Sequence, residues 1–252
     1  MDGILLIDKP EGWTSHDVVA KVRNILRQAR SPEPRVQSKD RRLSAPSSLL
    51  LARGPKVRVG HTGTLDPMAT GLLVLVVGSA TKRAQQFSKL DKTYEAELTL
   101  GTTSDTGDSE GKKHKVSSKK PSPNEVTAAL NKFKGKTSQT PPAYSAVKVG
   151  GQRAYKLARA DKKVEVSPRD VNIYEIQNTE YKYPKLHFTA RVSSGTYIRS
   201  LAADIGQQLG TGAYLSSLRR TSVGEFSIDQ AMGLENWLKR PTQPLALDRE
   251  IC

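Results

Sequence analysis

From Tyr94 to Leu100 the chain alternates without a break: Tyr94, Ala96, Leu98 and Leu100 are apolar, and Glu95, Glu97 and Thr99 between them are polar. A strand sends successive side chains to opposite faces, so this stretch is a strand with one dry and one wet face. It needs strands beside it and helices against its dry face. Gly3 to Asp8 reads as a short buried strand stopped by the turn Lys9-Pro10-Glu11-Gly12. Leu72 to Val77, Ala143 to Val149, Asp170 to Ile176 and Leu186 to Val192 read as further strands. Thr14 or Ser15 can cap a helix whose Val18, Val19, Val22, Ile25 and Leu26 form one apolar stripe, ending near Arg27 to Arg30. Ala80 to Leu90, Thr196 to Leu209 and Ala213 to Arg219 read as helices. Ser122-Pro123-Asn124-Glu125 is a capping box with proline at the first helical position, ahead of Val126, Leu130 and Phe133, and Gly135 is the stop. The order predicts an α+β fold, a mixed and largely antiparallel sheet flanked by helices, in preference to a doubly wound parallel one.

One stretch fits no period. Ser31 to Lys56 is rich in Ser, Pro, Arg and Lys, and its single apolar patch, Leu49-Leu50-Leu51, is too small to offset the entropy of ordering it. The expected organisation is one domain over residues 1–240, a basic low-complexity insertion at 28–57 that reads as mobile, and a tail at 241–252. Positive charge gathers in two places: residues 27–58 hold nine cations and two acids, and residues 112–136 hold eight cations and one acid. They account for nearly all of the formal net charge of +15, which suits a partner with regularly spaced negative charge, nucleic acid first. Gly101 to Gly111 is an acidic loop and Lys112 to Lys120 a basic one, both expected to be exposed. No apolar run approaches the ~20 residues of a membrane span, and the N-terminus has neither the basic flank nor the apolar stretch of a signal peptide. A cytoplasmic protein is expected, with no membrane partner. Cys252 is the only cysteine, so neither a disulfide nor a cysteine-built zinc site can form within the chain, and chemistry without metal or cofactor is expected.

The segment from Gly60 to Gly71, G-H-T-G-T-L-D-P-M-A-T-G, is the most informative. Its glycines permit close or left-handed backbone, and Pro67 fixes the residue after Asp66, so a carboxylate is presented from a rigid turn. On local grounds this is a turn like many others. Asp105 and Asp108 lack the terminal glutamate of an EF-hand loop and are better read as polar contacts within a cleft. No Walker A loop, dinucleotide fingerprint, Ser-His-Asp spacing or zinc-ligand cluster is present.

Taken together with Gly3-Ile4-Leu5-Leu6-Ile7-Asp8-Lys9-Pro10, Asp91-Lys92-Thr93-Tyr94, Gly101-Thr102-Thr103-Ser104-Asp105-Thr106-Gly107-Asp108, Pro142-Ala143-Tyr144-Ser145-Ala146-Val147-Lys148, Gly195-Thr196-Tyr197-Ile198-Arg199 and Leu218-Arg219-Arg220, that segment resembles the TruB family of tRNA pseudouridine synthases. The resemblance covers the chain except residues 28–57 and the last dozen or so. It implies the pseudouridine synthase fold and, as substrate, the T-loop uridine of tRNA at position 55, taken from the T-arm by a monomeric enzyme. It implies that Asp66 starts the breakage of the uridine C–N glycosidic bond, with Arg199 as the cation beside it. Such a reaction needs an ionised carboxylate at the base and sugar, and a dry pocket would raise its pKa unless a fixed cation stood nearby. A stacked base must also be extruded, at a cost of a few kcal/mol that an aromatic ring can partly return. Tyr94 is the resembling stacking residue, Tyr197 and Leu218 line the uridine pocket, and His61 enters the space the base leaves. Lys82, Lys148, Arg219 and Arg220 are the expected phosphate contacts. Two departures stand out: the 32 residues after Arg220 are too few for the C-terminal PUA domain many members carry, and the 28–57 insertion replaces a short link. That insertion is expected to supply RNA contacts. The alternatives are a guide-dependent or mRNA-directed synthase and a non-catalytic tRNA-binding chaperone.

Overall fold

The structure, a computed structural model, describes residues 2–29, 57–158, 160 and 165–246. The insertion expected at 28–57 falls almost wholly outside the described residues. Ten strands form one sheet: β1 (Gly3–Lys9), β2 (Val59–His61), β3 (Thr70–Val77), β4 (Lys92–Leu100), β5 (Gly135–Gln139), β6 (Arg169–Lys182), β7 (Lys185–Val192), β8 (Ala213–Val223), β9 (Phe226–Ser227) and β10 (Met232–Gly233). Their order is β10-β1-β3-β8-β4-β7-β6-β5, with β2 also on β3 and β9 on β8. Only β1 with β10 and β3 with β8 are parallel. The expected mixed, largely antiparallel sheet is present.

Six α-helices complete the described fold: α1 (Ser15–Gln28), α2 (Ala84–Ser88), α3 (Pro123–Asn131), α4 (Ala154–Ala158), α5 (Ile198–Gln208) and α6 (Leu234–Lys239). Thr14 caps α1 through a reciprocal box with Asp17, and Ser122 caps α3 through one with Glu125. The dry face of β4 packs with β6, β7 and β8 against α3 and α5, through Tyr94, Leu98, Phe188, Leu215, Leu130 and Leu201. A second core joins α1 and α6 to β1 and β3 through Val18, Val22, Ile7, Leu73, Leu75 and Trp237. A third lies on the other face of β1 and β3, where Leu6, Leu72, Val74 and Val76 meet Phe87 of α2 and Phe226 of β9. Dry on both sides, β3 is an unbroken apolar run; wet on one side, β4 alternates.

Two sequence expectations fail. Ala213 to Arg219 is not a helix but the middle of the sheet, β8, paired with β4 on one side and β3 on the other. The i to i+3 spacing of Leu215 and Leu218 that looks helical comes from an irregular register between Leu215 and Ser217, which inserts one residue into the alternation. Ala143 to Val149 is mostly loop: only Lys148–Val149 forms a short strand, paired with Gln152–Arg153. After Pro141 and Pro142 the backbone carbonyls of Ser145 and Val147 accept instead from Tyr155 and Ala154. At the other end of the chain, Leu245 exchanges two backbone hydrogen bonds with Ile4, at 2.9 and 2.8 Å.

Between β2 and β8 the sheet opens. β2 pairs with the end of β3 (His61 opposite Leu75), whereas β8 joins β3 at its start (Arg220 opposite Gly71). The strands touch there: a side chain at Gly71, whose φ is +100°, would lie 2.3 Å from the Arg220 carbonyl oxygen. The loop 62–69 fills the gap, between α1 on one flank and α5 on the other.

Candidate active site

The loop is pinned before it presents its carboxylate. The buried Ser15 hydroxyl accepts from the Leu65 amide at 2.8 Å and donates to the Leu65 carbonyl at 3.0 Å. Beyond Asp66, the Pro67 carbonyl accepts from the Gly12 amide at 2.9 Å and from Lys9 Nζ at 3.3 Å. The Ala69 amide closes the turn onto the Asp66 carbonyl at 3.1 Å. With its neighbours held on both sides, Asp66 has little backbone freedom, and its side chain keeps 36 % exposure.

Arg199, in the first turn of α5, meets it. Its side chain is 8 % exposed, with Nη2 3.0 Å from Asp66 Oδ2 and Nη1 3.3 Å from Asp108 Oδ2. It also donates to the carbonyls of Thr106 at 3.1 Å and Tyr144 at 2.9 Å. Asp108, 3 % exposed, is held by the Thr106 hydroxyl and the Glu110 amide. Three chain segments distant in sequence thus converge on one cation. The expected exposure of the whole 101–111 loop is corrected here, because Asp108 turns inward to neutralise Arg199.

Burial pushes the Asp66 carboxyl up; Arg199 and Lys9 pull it down, and Asp108 adds to the rise. The net direction is upward, so the arginine offsets the desolvation only in part. Three more buried cations surround the loop: Lys9 at 0 %, Lys92 at 6 % and Arg220 at 1 % exposure. Burial pushes Lys9 down to about 8, against the pull of Asp66, and Lys92 down to about 8, aided by Arg220. Lys9 donates to the carbonyls of Pro10 and Trp13 as well as Pro67, at 2.9, 2.7 and 3.3 Å, so one ammonium ties the first turn to the Asp66 loop. Burial, with His16 and Arg220, lowers His61 to about 4. Its Nδ1 is buried without a hydrogen-bond partner, a burden of about 1–3 kcal/mol for a typical polar group.

Of the other expected site residues, Tyr94 and Leu218 belong to the same buried cluster as Leu65, Met68 and Ile198, which flank Asp66 and Arg199 in the chain. Tyr197 caps α5 half-buried, its amide and carbonyl both bonded to the Gln139 side chain at 2.8 and 3.1 Å. Lys148 is exposed on the small hairpin that follows Tyr144. Lys82 is exposed on the turn Gly78–Arg83, whose Ala80 packs on the far face of β3, so the structure does not bring it to the cleft. The two arginines expected to meet phosphates part company, because consecutive strand residues point to opposite faces. Arg220 is a buried strut bonded to the carbonyls of Leu72 at 2.8 Å and Gly63 at 3.1 Å. Arg219 lies on the far face in a two-point pair with Asp8, at 3.2 and 2.8 Å. Sequence reading passed over Lys9 and Ser15; their signal was position, in a tight turn and just after a helix cap. Among the described residues no group of three or more His, Cys, Asp or Glu is placed to hold a metal ion, and no helix is long and apolar enough to cross a membrane.

Comparison with known proteins gives the same picture. Residues 52–198 match the model of the TruB family pseudouridylate synthase N-terminal domain, and residues 199–242 that of the tRNA pseudouridylate synthase B C-terminal domain. The boundary falls at α5, yet β8 beyond it is woven between β3 and β4, so the two matched stretches share one sheet. The tRNA pseudouridine synthase B of Opitutus terrae is 40 % identical over 93 % of this chain and 86 % of its own length. That of Aquifex aeolicus is 40 % identical over 94 % and 74 %. Among solved structures, a Cbf5-Nop10-Gar1 complex contains a chain 28 % identical with a TM-score of 0.66, covering 94 % of this chain and 54 % of that one. An H/ACA RNP bound to a substrate RNA containing 2'-deoxyuridine gives 26 % and 0.63, over 94 % and 52 %. The chain therefore spans about half the length of these solved chains. With both family models matched end to end across the cleft that holds Asp66, the chain belongs to the TruB family of pseudouridylate synthases.

Proposed function

We propose that this chain is a tRNA pseudouridine(55) synthase, isomerising the T-loop uridine without cofactor. The observation that carries the reading is the Asp66–Arg199 pair at 3.0 Å: a carboxylate on a pinned loop, partly open, against a buried cation. In the isomerisation the C1′–N1 bond breaks, the uracil turns and C1′–C5 forms, while the proton on C5 leaves and N1 gains one, so nothing is oxidised or reduced. Asp66 starts the break, and Arg199 keeps it ionised and aimed. Tyr94 stacks on the extruded uracil, with Tyr197 and Leu218 around it, and His61 enters the space left in the RNA. Lys148 is a phosphate contact; Arg219 and Arg220 act through the frame rather than on phosphate. The enzyme works as a monomer on the T-arm in the cytoplasm. The higher identity to proteins named tRNA pseudouridine synthase B, 40 % against 28 % for the chain of the Cbf5-Nop10-Gar1 complex, favours this over guide-dependent action. The test is to incubate the protein with unmodified tRNA transcripts and map carbodiimide-dependent primer-extension stops. A stop at the T-loop uridine is expected; transcripts left unmodified at enzyme excess would refute it.

A further inference from the structure

The first turn of α1 does more than pin the loop. Ser15 clamps Leu65, and the next residue, His16, stands with its ring against His61: the centroids are 5.1 Å apart and the planes meet at 79°. His61 has no side-chain hydrogen bond among the described residues, and its Nδ1 is buried and unpaired, so no polar contact there sets the plane of its ring. The edge-on contact with His16 is the one aromatic ring contact it makes among the described residues. His16 itself is exposed and makes no ion pair or side-chain hydrogen bond among the described residues, although the Thr14–Asp17 box and the Ser15–Leu65 clamp hold the backbone around it. Burial, with a smaller contribution from His16, lowers the His61 pKa to about 4 and keeps that ring neutral and able to stack.

We propose that His16 is a positioning residue for base extrusion: it orients the His61 ring so that the pair enters the RNA as a two-ring wedge beside the flipped uridine. The proposal rests on the functional reading above and assigns a residue that the reading leaves unused. A wedge matters only where stacking must be broken, because it compensates the RNA for a lost neighbour. The upper half of the range for an edge-to-face pair corresponds to about fivefold to tenfold in rate.

Two RNAs test it in single-turnover assays at saturating enzyme: a T-arm stem-loop, and the same stem-loop with abasic nucleotides on both sides of the target uridine. On the intact stem-loop, His16→Ala should slow pseudouridine formation about fivefold to tenfold with unchanged Kd, whereas His16→Phe, which keeps an aromatic edge, should stay within about twofold of wild type. On the abasic RNA all three proteins should react alike. Equal loss on both RNAs would make His16 a merely structural residue and overturn the proposal. So would an unaffected His16→Ala, or a His16→Phe as slow as the alanine variant. Failure of the wild-type protein to modify either RNA would instead overturn the functional reading.

Discussion

The two faces of the central strands carry similar residue types and treat them differently. On the cleft side, Lys92 and Arg220 lie beside Tyr94 and the Asp66 loop, cut off from water, and Lys92 and Asp66 are both displaced from their ordinary pKa. On the far side, a groove of about 390 Å³ is lined by Thr70, Glu95, Glu97, His187, Thr189 and Arg219. There Glu97 sits 2.6 Å from Lys185 and 3.3 Å from His187, and accepts from the Ser216 hydroxyl. In the groove Glu97 and Arg219 are each paired within hydrogen-bond reach and partly open to water. What distinguishes the cleft is charge held without its solvent, which is where an ionisable group can be made reactive.

The sharpest break of that comparison is at Asp66. Asp66→Asn keeps the shape and removes the charge, so single-turnover pseudouridine formation should fall by roughly a thousandfold or more, while tRNA affinity, set by phosphate contacts, should change little. Formation within tenfold of wild type would remove Asp66 from the mechanism. Arg199 comes next. Removing one partner of a desolvated pair costs several kcal/mol, so Arg199→Ala should lose at least about a hundredfold, with only partial rescue by lysine. The pH profile separates the loss of the cation from misfolding. Because the Asp66 carboxyl is raised above its ordinary 3.8, the wild-type rate should fall on acidification at a pH above that value. Arg199 lowers that pKa, so in Arg199→Ala the fall should begin at a higher pH than in wild type. A wild-type rate in Arg199→Ala across neutral pH would show that the pair seen in the cleft is idle.

The contrast between the faces also marks what the sequence could disclose. The wet and dry sides of β4 were legible from alternation, the α3 cap from its box, and the α1 cap as one of two neighbouring residues, because each depends on residues within a few positions. β8 was misread because its register slips between Leu215 and Ser217, and a slip is set by the strands on either side, β3 and β4, which lie far away in sequence. The same distance hid much of the cleft. Asp66 and Arg199 came to notice through motif resemblance and Asp108 as a polar contact within a cleft, but Lys9 and Ser15 act through partners about 50 or more residues away, and nothing local marks a lysine as fully buried. Arg219 and Arg220 were read alike, and only the pairing of β8 shows that one faces water and the other the core.

His61 offers a smaller effect that reads on stability. Its folded-state value, lowered from 6.5 to about 4, means that the unfolded chain binds a proton the folded chain refuses between those values. The sign follows: above 6.5 the ring is neutral in both states and costs nothing, and as pH falls toward 4 the folded state loses stability. His61→Gln should therefore be unfolded by urea at a midpoint that falls less steeply than that of wild type between pH 7 and pH 4. Parallel midpoints would mean that His61 is hydrated and titrates normally, and would weaken the case for a ring kept neutral for stacking.

The smallest effect belongs to the far face. Glu97 is 23 % exposed and its chief partner Lys185 43 %, so their attraction is screened. Burial raises the Glu97 pKa, but hydrogen bonds from Lys185 and Ser216 outweigh it and hold the carboxyl below its ordinary 4.5. The stabilisation is therefore present in full above 4.5 and is lost as pH falls below it. Glu97→Gln should lower stability at neutral pH by no more than about 1 kcal/mol, a fall in Tm of roughly 2–4 °C. The deficit should shrink in 1 M salt, where the Debye length is about 3 Å, and again at acid pH. Pseudouridine formation should stay within about twofold of wild type, since nothing that touches Arg199 or Asp66 changes. A hundredfold loss of rate in the folded variant would erase the distinction between the faces, because the screened groove would then be coupled to the cleft through β4 and β8, the strands that carry a side chain to each.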